Sequence, residues 1–168
     1  MFIAKNNDLI VMAANTQAEL LEKLDCMVYT EILETTENYI LHNGQYLTES
    51  KALVELKKQK QQENTDKAKL AVENGHVVFK GAEFETNAQT VGDLTATMLL
   101  MQASGIETYL WLSKDDQPIS LSIEDFGTLG GLIAEFKNTI WQEKYIAYKS
   151  AIEQAETIAA VENIEIEY

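Results

Sequence analysis

The order of motifs predicts an α+β chain made of antiparallel hairpins and a few long helices. Three observations carry this. Asn43-Gly44 separates two apolar runs, Tyr39-Ile40-Leu41-His42 and Gln45-Tyr46-Leu47-Thr48. An Asn-Gly pair tolerates the two positive φ angles of a type I′ hairpin turn. From Ile123 onward, Phe126, Leu129, Ile133, Phe136 and Ile140 recur at alternating spacings of three and four, the mark of an amphipathic helix close to a heptad seam. Strands follow one another as hairpins, without the strand–helix–strand alternation that parallel sheets require. The expected architecture is a small N-terminal antiparallel sheet with one helix (1–49), a polar connecting helix (50–73) and a C-terminal helical domain with two β-hairpins (74–168).

The elements follow in order. Met1–Ala4 and Leu9–Ala13 flank Asn6-Asn7-Asp8 and predict a hairpin. Thr16-Gln17-Ala18-Glu19 has the spacing of a capping box and opens a short helix burying Leu20, Leu21 and Leu24. Met27–Glu34 is rich in strand formers, and the Asn-Gly hairpin completes a ββαβββ order. Ser50 is placed to cap the next helix, where Ala52, Leu53, Val54 and Leu56 give one apolar turn. Residues 57–67 contain no apolar side chain, which fits either a solvated helix or a flexible linker; Gln, Lys and Glu favour the helix. Six of the thirteen lysines lie between Lys51 and Lys69, as on a solvated helix face or a surface for an acidic partner.

Asn74-Gly75 opens a run, His76–Lys80, that turns at Gly81-Ala82 into the alternating Glu83-Phe84-Glu85-Thr86. Asn87 is placed to cap a helix with Val91, Leu94, Met98 and Met101 inward, and Gly105 to end it. A second hairpin, Tyr109–Leu112 with Ile119–Ser122, turns through Lys114-Asp115-Asp116-Gln117-Pro118. Ser122 and Asp125 are spaced for a capping box at the start of the longest helix. Gly127, Gly130 and Gly131 within it allow close approach of another backbone, or simple packing against the two hairpins, which needs no partner. After Ile140 the stripe rotates to Trp141, Tyr145, Tyr148 and Ile152. Thr157 is placed to cap a last short helix, and Ile164–Tyr168 alternates as an edge strand would. The expected C-terminal core is Phe79, Phe84, Leu94, Met98, Trp111, Phe126, Ile133 and Phe136.

One resemblance joins these residues. Val78-Phe79, Gly81, Phe84-Glu85-Thr86, a helix, Trp111 on a short hairpin, a long helix, and the closing Ala151-Ile152, Ala155-Glu156-Thr157 and Val161-Glu162-Asn163-Ile164 together resemble a small domain of unknown function found C-terminally in bacteriophage and prophage tail proteins. The resemblance covers roughly 52–168 and contains no catalytic motif. It implies a tail-associated, non-enzymatic protein located in the virion tail after synthesis in the host cytoplasm. Its partners would be other tail or tail-fibre proteins. Tail appendages are often trimeric, so a homo-oligomer is a further expectation.

Composition limits the alternatives. The net charge is −14 and every basic residue is Lys, so the chain repels nucleic acid and anionic lipid and lacks the guanidinium fork suited to phosphate. No apolar run is long enough to span a bilayer and the first residues are not patterned as a signal peptide, so a cytoplasmic origin without membrane insertion is expected. The single cysteine, Cys26, cannot form an internal disulfide and is expected to be a buried thiol. His42 and His76 lack metal-site spacing. Lys114-Asp115-Asp116 is ordinary turn chemistry and does not continue into an EF-hand. No nucleophile elbow or phosphate loop occurs, so no catalytic, cofactor-binding or metal residue is assigned. Candidate interface residues are Trp141, Tyr145, Tyr148 and Ile152 on the long helix and Tyr39 and Tyr46 on the Asn-Gly hairpin; packing of both patches within the monomer is the alternative. Three functions remain: a structural or adaptor tail protein, a cytoplasmic tail-fibre assembly chaperone, and, more remotely, a small hydrolase or metal-dependent enzyme.

Overall fold

In the computed structural model, which describes residues 1–6, 9–24, 31–35, 37 and 39–168, every strand pairing is antiparallel and the fold is α+β. Strands β1 (Phe2–Asn6), β2 (Leu9–Ala14) and β3 (Glu31–Glu34) form a sheet in the order β2-β1-β3, with Phe2 opposite both Ala14 and Glu34. Helix α1 (Gln17–Lys23) is capped by Thr16, whose hydroxyl accepts the Glu19 N–H. The Glu19 carboxylate reaches back to accept the N–H of Asn15, with the Thr16 N–H also directed at it. Ala4, Ala14, Leu20 and Leu24 make the small core here. Leu21 is 45% exposed and does not join it. Cys26 and the first residues of the Met27–Glu34 stretch lie outside the described residues.

Three hairpins follow the chain. Strands β4 (Tyr39–His42) and β5 (Gln45–Thr48) turn through Asn43 and Gly44, both at positive φ, as the Asn-Gly pair predicts. Strands β6 (His76–Phe79) and β7 (Ala82–Glu85) turn through Lys80-Gly81, one residue earlier than expected, because Gly81 supplies the second of two positive φ angles. Strands β8 (Thr108–Leu112) and β9 (Pro118–Ser122) close over a longer loop in which Asp116 takes the left-handed conformation.

Between the first and second hairpins runs α2 (Glu49–Glu73), helical throughout. Ser50 lies inside it; the Thr48 hydroxyl faces the Lys51 N–H instead. The polar stretch 57–67 is helix, not linker. Its inner side is lined by small or amide residues, with Asn64 and Ala68 at 1% and 0% exposure, so no apolar stripe marks it. Helix α3 (Ala88–Ser104) is capped by Asn87 and ended by Gly105 at φ 66. Helix α4 (Ile123–Asn138) begins with the complete Ser122/Asp125 capping box. A π-helical segment, Thr139–Tyr145, leads without a break into α5 (Ile146–Gln154). The wider π turn admits extra residues per turn, which re-phases all later side chains and is why the apolar stripe shifts after Ile140. Helix α6 (Ile158–Glu162) is capped by Thr157. The alternating Ile164–Tyr168 forms no strand. Its main chain instead meets side chains: the Ile166 carbonyl accepts from Lys67 Nζ, and Glu167 bonds Tyr148 through both its N–H and its carbonyl.

Two units result, and they divide elsewhere than at 49/50 and 73/74. One comprises Met1–Lys60 and Gln154–Ile164; the other comprises Gln61–Glu153 and Glu165–Tyr168. The second holds the larger core of Phe84, Leu94, Met101, Leu121, Phe126, Leu129 and Ile133, with Phe79, Met98 and Trp111 packed against it. Trp111 meets Phe126 edge-on at 5.3 Å between centroids. Phe136, expected in this core, is half-buried and lies instead over Gly75. The helix glycines do not admit a neighbouring backbone. A Cβ at Gly127 or Gly131 would meet open space, and one at Gly130 would touch only Leu94 at 3.5 Å.

Candidate protein-interaction surfaces

The aromatic face of the long helix is largely closed within its own unit. Ile152 is fully buried, and Trp141, Tyr145 and Tyr148 are half-buried. The π segment sets Trp141 and Tyr145 edge to face at 5.2 Å. Opposite them stands the amide of Asn64. Its Nδ2 donates to the Tyr145 carbonyl at 3.1 Å, and its Oδ1 accepts a short hydrogen bond from the Tyr168 hydroxyl. Thr65 donates its hydroxyl proton to the Gln61 carbonyl, which leaves its oxygen to accept from the Tyr145 hydroxyl at 3.4 Å. Tyr148 and Tyr168 meet at 5.8 Å. Burial, then the neighbouring Tyr148 and Tyr145 hydroxyls, push the Tyr168 phenol up to about 12. An amide inside a protein costs stability unless its groups are bonded, and here both ends are used. The C-terminal residues thus act as the cover of this face.

On the first hairpin, Tyr39 and Tyr46 are half-buried, and the Tyr39 hydroxyl donates to Glu37 at 3.0 Å. Burial and the Glu37 carboxylate raise its phenol above the ordinary value. Leu41, directly opposite Tyr46, is 62% exposed.

Large aliphatic groups stand exposed on α2 and α3 (Val54, Leu70 and Leu99) and also on hairpins that the sequence assigns to the core. On β8, Trp111 turns inward, whereas Leu110 and Leu112 are 66% and 58% exposed; on β6, Val78 is 63% exposed. The signal for them is present in the sequence. Tyr109-Leu110-Trp111-Leu112 is apolar at successive positions, so a hairpin packed on one side must show half of them to solvent. Asn64 carried no such signal, since it lies in the polar stretch 57–67, whereas Tyr168 continues the alternation of Ile164 and Ile166.

The chemistry of the polar groups is modest. His76 Nε2 is 3.6 Å from Glu83 Oε2, which also accepts from Lys114 Nζ at 3.3 Å, all on exposed side chains. Lys80 pairs with Asp125 at 2.6 Å, which together with the Ser122 backbone N–H holds the Asp125 carboxyl below its ordinary range. Among the described residues no three His, Cys, Asp or Glu side chains converge as metal ligands, and no helix is long and apolar enough to cross a membrane. No protein-family model, no curated protein and no solved structure matches the chain.

Proposed function

We propose that this chain is a non-enzymatic structural or adaptor protein of a bacteriophage or prophage tail or tail-fibre apparatus, acting by binding other tail proteins. The observation that carries the binding role is the set of large aliphatic side chains on hairpin faces: Leu41, Val78, Leu110 and Leu112, each more than half exposed. Where such side chains adjoin, as Leu110 and Leu112 do on one face of β8, exposed apolar surface marks contacts with other macromolecules. The tail setting rests on the resemblance over residues 52–168. The acidity keeps such a surface soluble and sets which partners approach quickly.

A cytoplasmic assembly chaperone for a tail fibre is the second reading, since the same exposed groups suit a contact that is made and later released. Mass spectrometry of purified particles separates the two: stoichiometric presence supports the structural role and absence supports the chaperone. Co-expression with neighbouring tail genes followed by pull-down tests partner binding itself. Trimer formation is checked by light scattering. Turnover of a metal-dependent hydrolase substrate that is lost in His76→Ala would overturn the non-enzymatic reading.

A further inference from the structure

In the two-stranded hairpin β8–β9 the outer edge of β8 pairs with no other strand among the described residues. The Ser113 N–H donates to the Gln117 carbonyl at 2.9 Å, which makes that pair a hydrogen-bonded one. Bonded and non-bonded pairs alternate along an antiparallel ladder, so Trp111/Ile119 and Tyr109/Leu121 are bonded, while Leu112/Pro118 and Leu110/Ser120 are not. Pro118 has no N–H to donate and sits at one of the positions that need none. The main-chain N–H and C=O of Leu110 and Leu112 therefore point away from β9. Further along the same edge, the Lys114 N–H is taken by the Glu83 carbonyl at 2.8 Å. Among the described residues, no other backbone group is bonded to Leu110 or Leu112 from that side.

Beyond this edge lies a cleft of about 520 Å³. Residues 109–114, from both faces of β8, line it, and no residue of β9 does, so it runs along the free edge. Its far wall is the side of α3 bearing Thr90, Asp93, Ala96 and Thr97, short side chains that leave room beside the strand. The charge on the cleft is one-sided. Glu85, Asp93 and Asp116 line it, and among the described residues none of them has a basic partner. Lys114, the one cation among the described residues that line it, is paired with Glu83.

We propose that the free edge of β8 receives an extended, basic segment of a partner protein as a third strand, seated between β8 and α3. Main-chain pairing to Leu110 and Leu112 supplies affinity, and the three carboxylates select lysine or arginine at alternate positions of the incoming strand. A second copy of this chain, itself at −14, is disfavoured on charge. The inference rests on the partner-binding reading above and names the chemistry of the partner.

The test is amide hydrogen exchange by NMR on the full chain, with and without a blocked eight-residue peptide of alternating lysine and valine. In the free protein the Leu110 and Leu112 amides exchange quickly while those of Tyr109 and Trp111 are protected. The peptide slows the first two, and it binds about tenfold or more tighter at low salt than the same peptide with glutamate in place of lysine. Leu110→Pro removes one outward N–H, keeps the ladder to β9, and weakens the peptide by about tenfold or more. If that variant fails to fold, Ala96→Trp, at an exposed helix position, fills the cleft from the other wall and has the same effect. Failure of the lysine peptide to bind or to slow either amide, equal binding of the two peptides, or protection of both amides in the free protein overturns the proposal. Protection that grows with protein concentration alone overturns it in favour of a second copy. Capture of a tail protein that persists in Ala96→Trp leaves the binding role standing and removes the edge from it, whereas peptide uptake without tail-protein capture does the reverse.

Discussion

The helix face from Trp141 to Ile152 and the strand from Thr108 to Leu112 are both rich in aromatic and aliphatic side chains, yet they meet opposite fates. The helix face is covered by Asn64 and Thr65, which bond the Tyr145 carbonyl and hydroxyl, and by Tyr168, whose ring meets Tyr148 and whose hydroxyl donates to Asn64; Ile152 is fully buried. The strand sends Trp111 into the core and leaves Leu110 and Leu112 outside. Apolar content therefore does not decide which surface is open. What decides is whether another element lies opposite and can satisfy the polar groups enclosed with the apolar ones. A strand in a two-stranded hairpin has one covered face and one free edge, whatever its side chains.

Truncation under the covered strand face should have the largest effect. Phe126→Ala removes a fully buried ring stacked edge-on against Trp111, and a loss of about 3–5 kcal/mol in a denaturant melt is expected. A loss below about 1 kcal/mol would show that the hairpin does not close this core.

The covered helix face is tested next. Asn64→Ala leaves the Tyr145 carbonyl and the Tyr168 hydroxyl without their partner, at an expected cost of about 1–3 kcal/mol. Gly75→Ala addresses the same unit. The added Cβ would lie 2.5 Å from Phe136 Cε1 and 2.7 Å from the Ala71 carbonyl oxygen, and that main-chain oxygen has little room to yield. A cost of about 1–3 kcal/mol in urea unfolding is expected.

Alkali sharpens the comparison further. The Tyr168 phenol is held at about 12 in the folded chain against 10.0 for the free group. The folded state thus keeps a proton that the unfolded chain releases. This contribution is intact below pH 10 and is lost as pH rises from about 10 to about 12. Tyr168→Phe should flatten the fall in melting temperature across that window. An unchanged fall would mean that lysine deprotonation, not the cover over Tyr148, sets the alkaline limit.

The smallest effect on stability belongs to the open strand face. Leu110→Ser should change the unfolding free energy by no more than about 0.5 kcal/mol, because the side chain already stands largely in water. A loss above about 1.5 kcal/mol would place Leu110 in a monomer contact and remove it from the exposed set.

The sequence alone determined several elements whose cause is local. Asn43-Gly44 makes the first hairpin because both residues tolerate positive φ. Asn87 and Ser122 start helices because their side-chain oxygens accept the N–H three residues on, and Gly105 ends one because it adopts φ 66. Tertiary structure alone decided what depends on a distant neighbour. Asn64 is buried because Tyr145 and Tyr168, some 81 and 104 residues away, take its amide. The alternating Ile164–Tyr168 is no strand because no strand among the described residues pairs with it and side chains bond its main chain instead. The aromatic helix face is covered for the same reason, and the edge of β8 stays open because no strand among the described residues lies beside Leu110 and Leu112. Hydropathy records how much apolar surface a segment carries; only packing and hydrogen-bond satisfaction across the fold assign it to the inside or the outside.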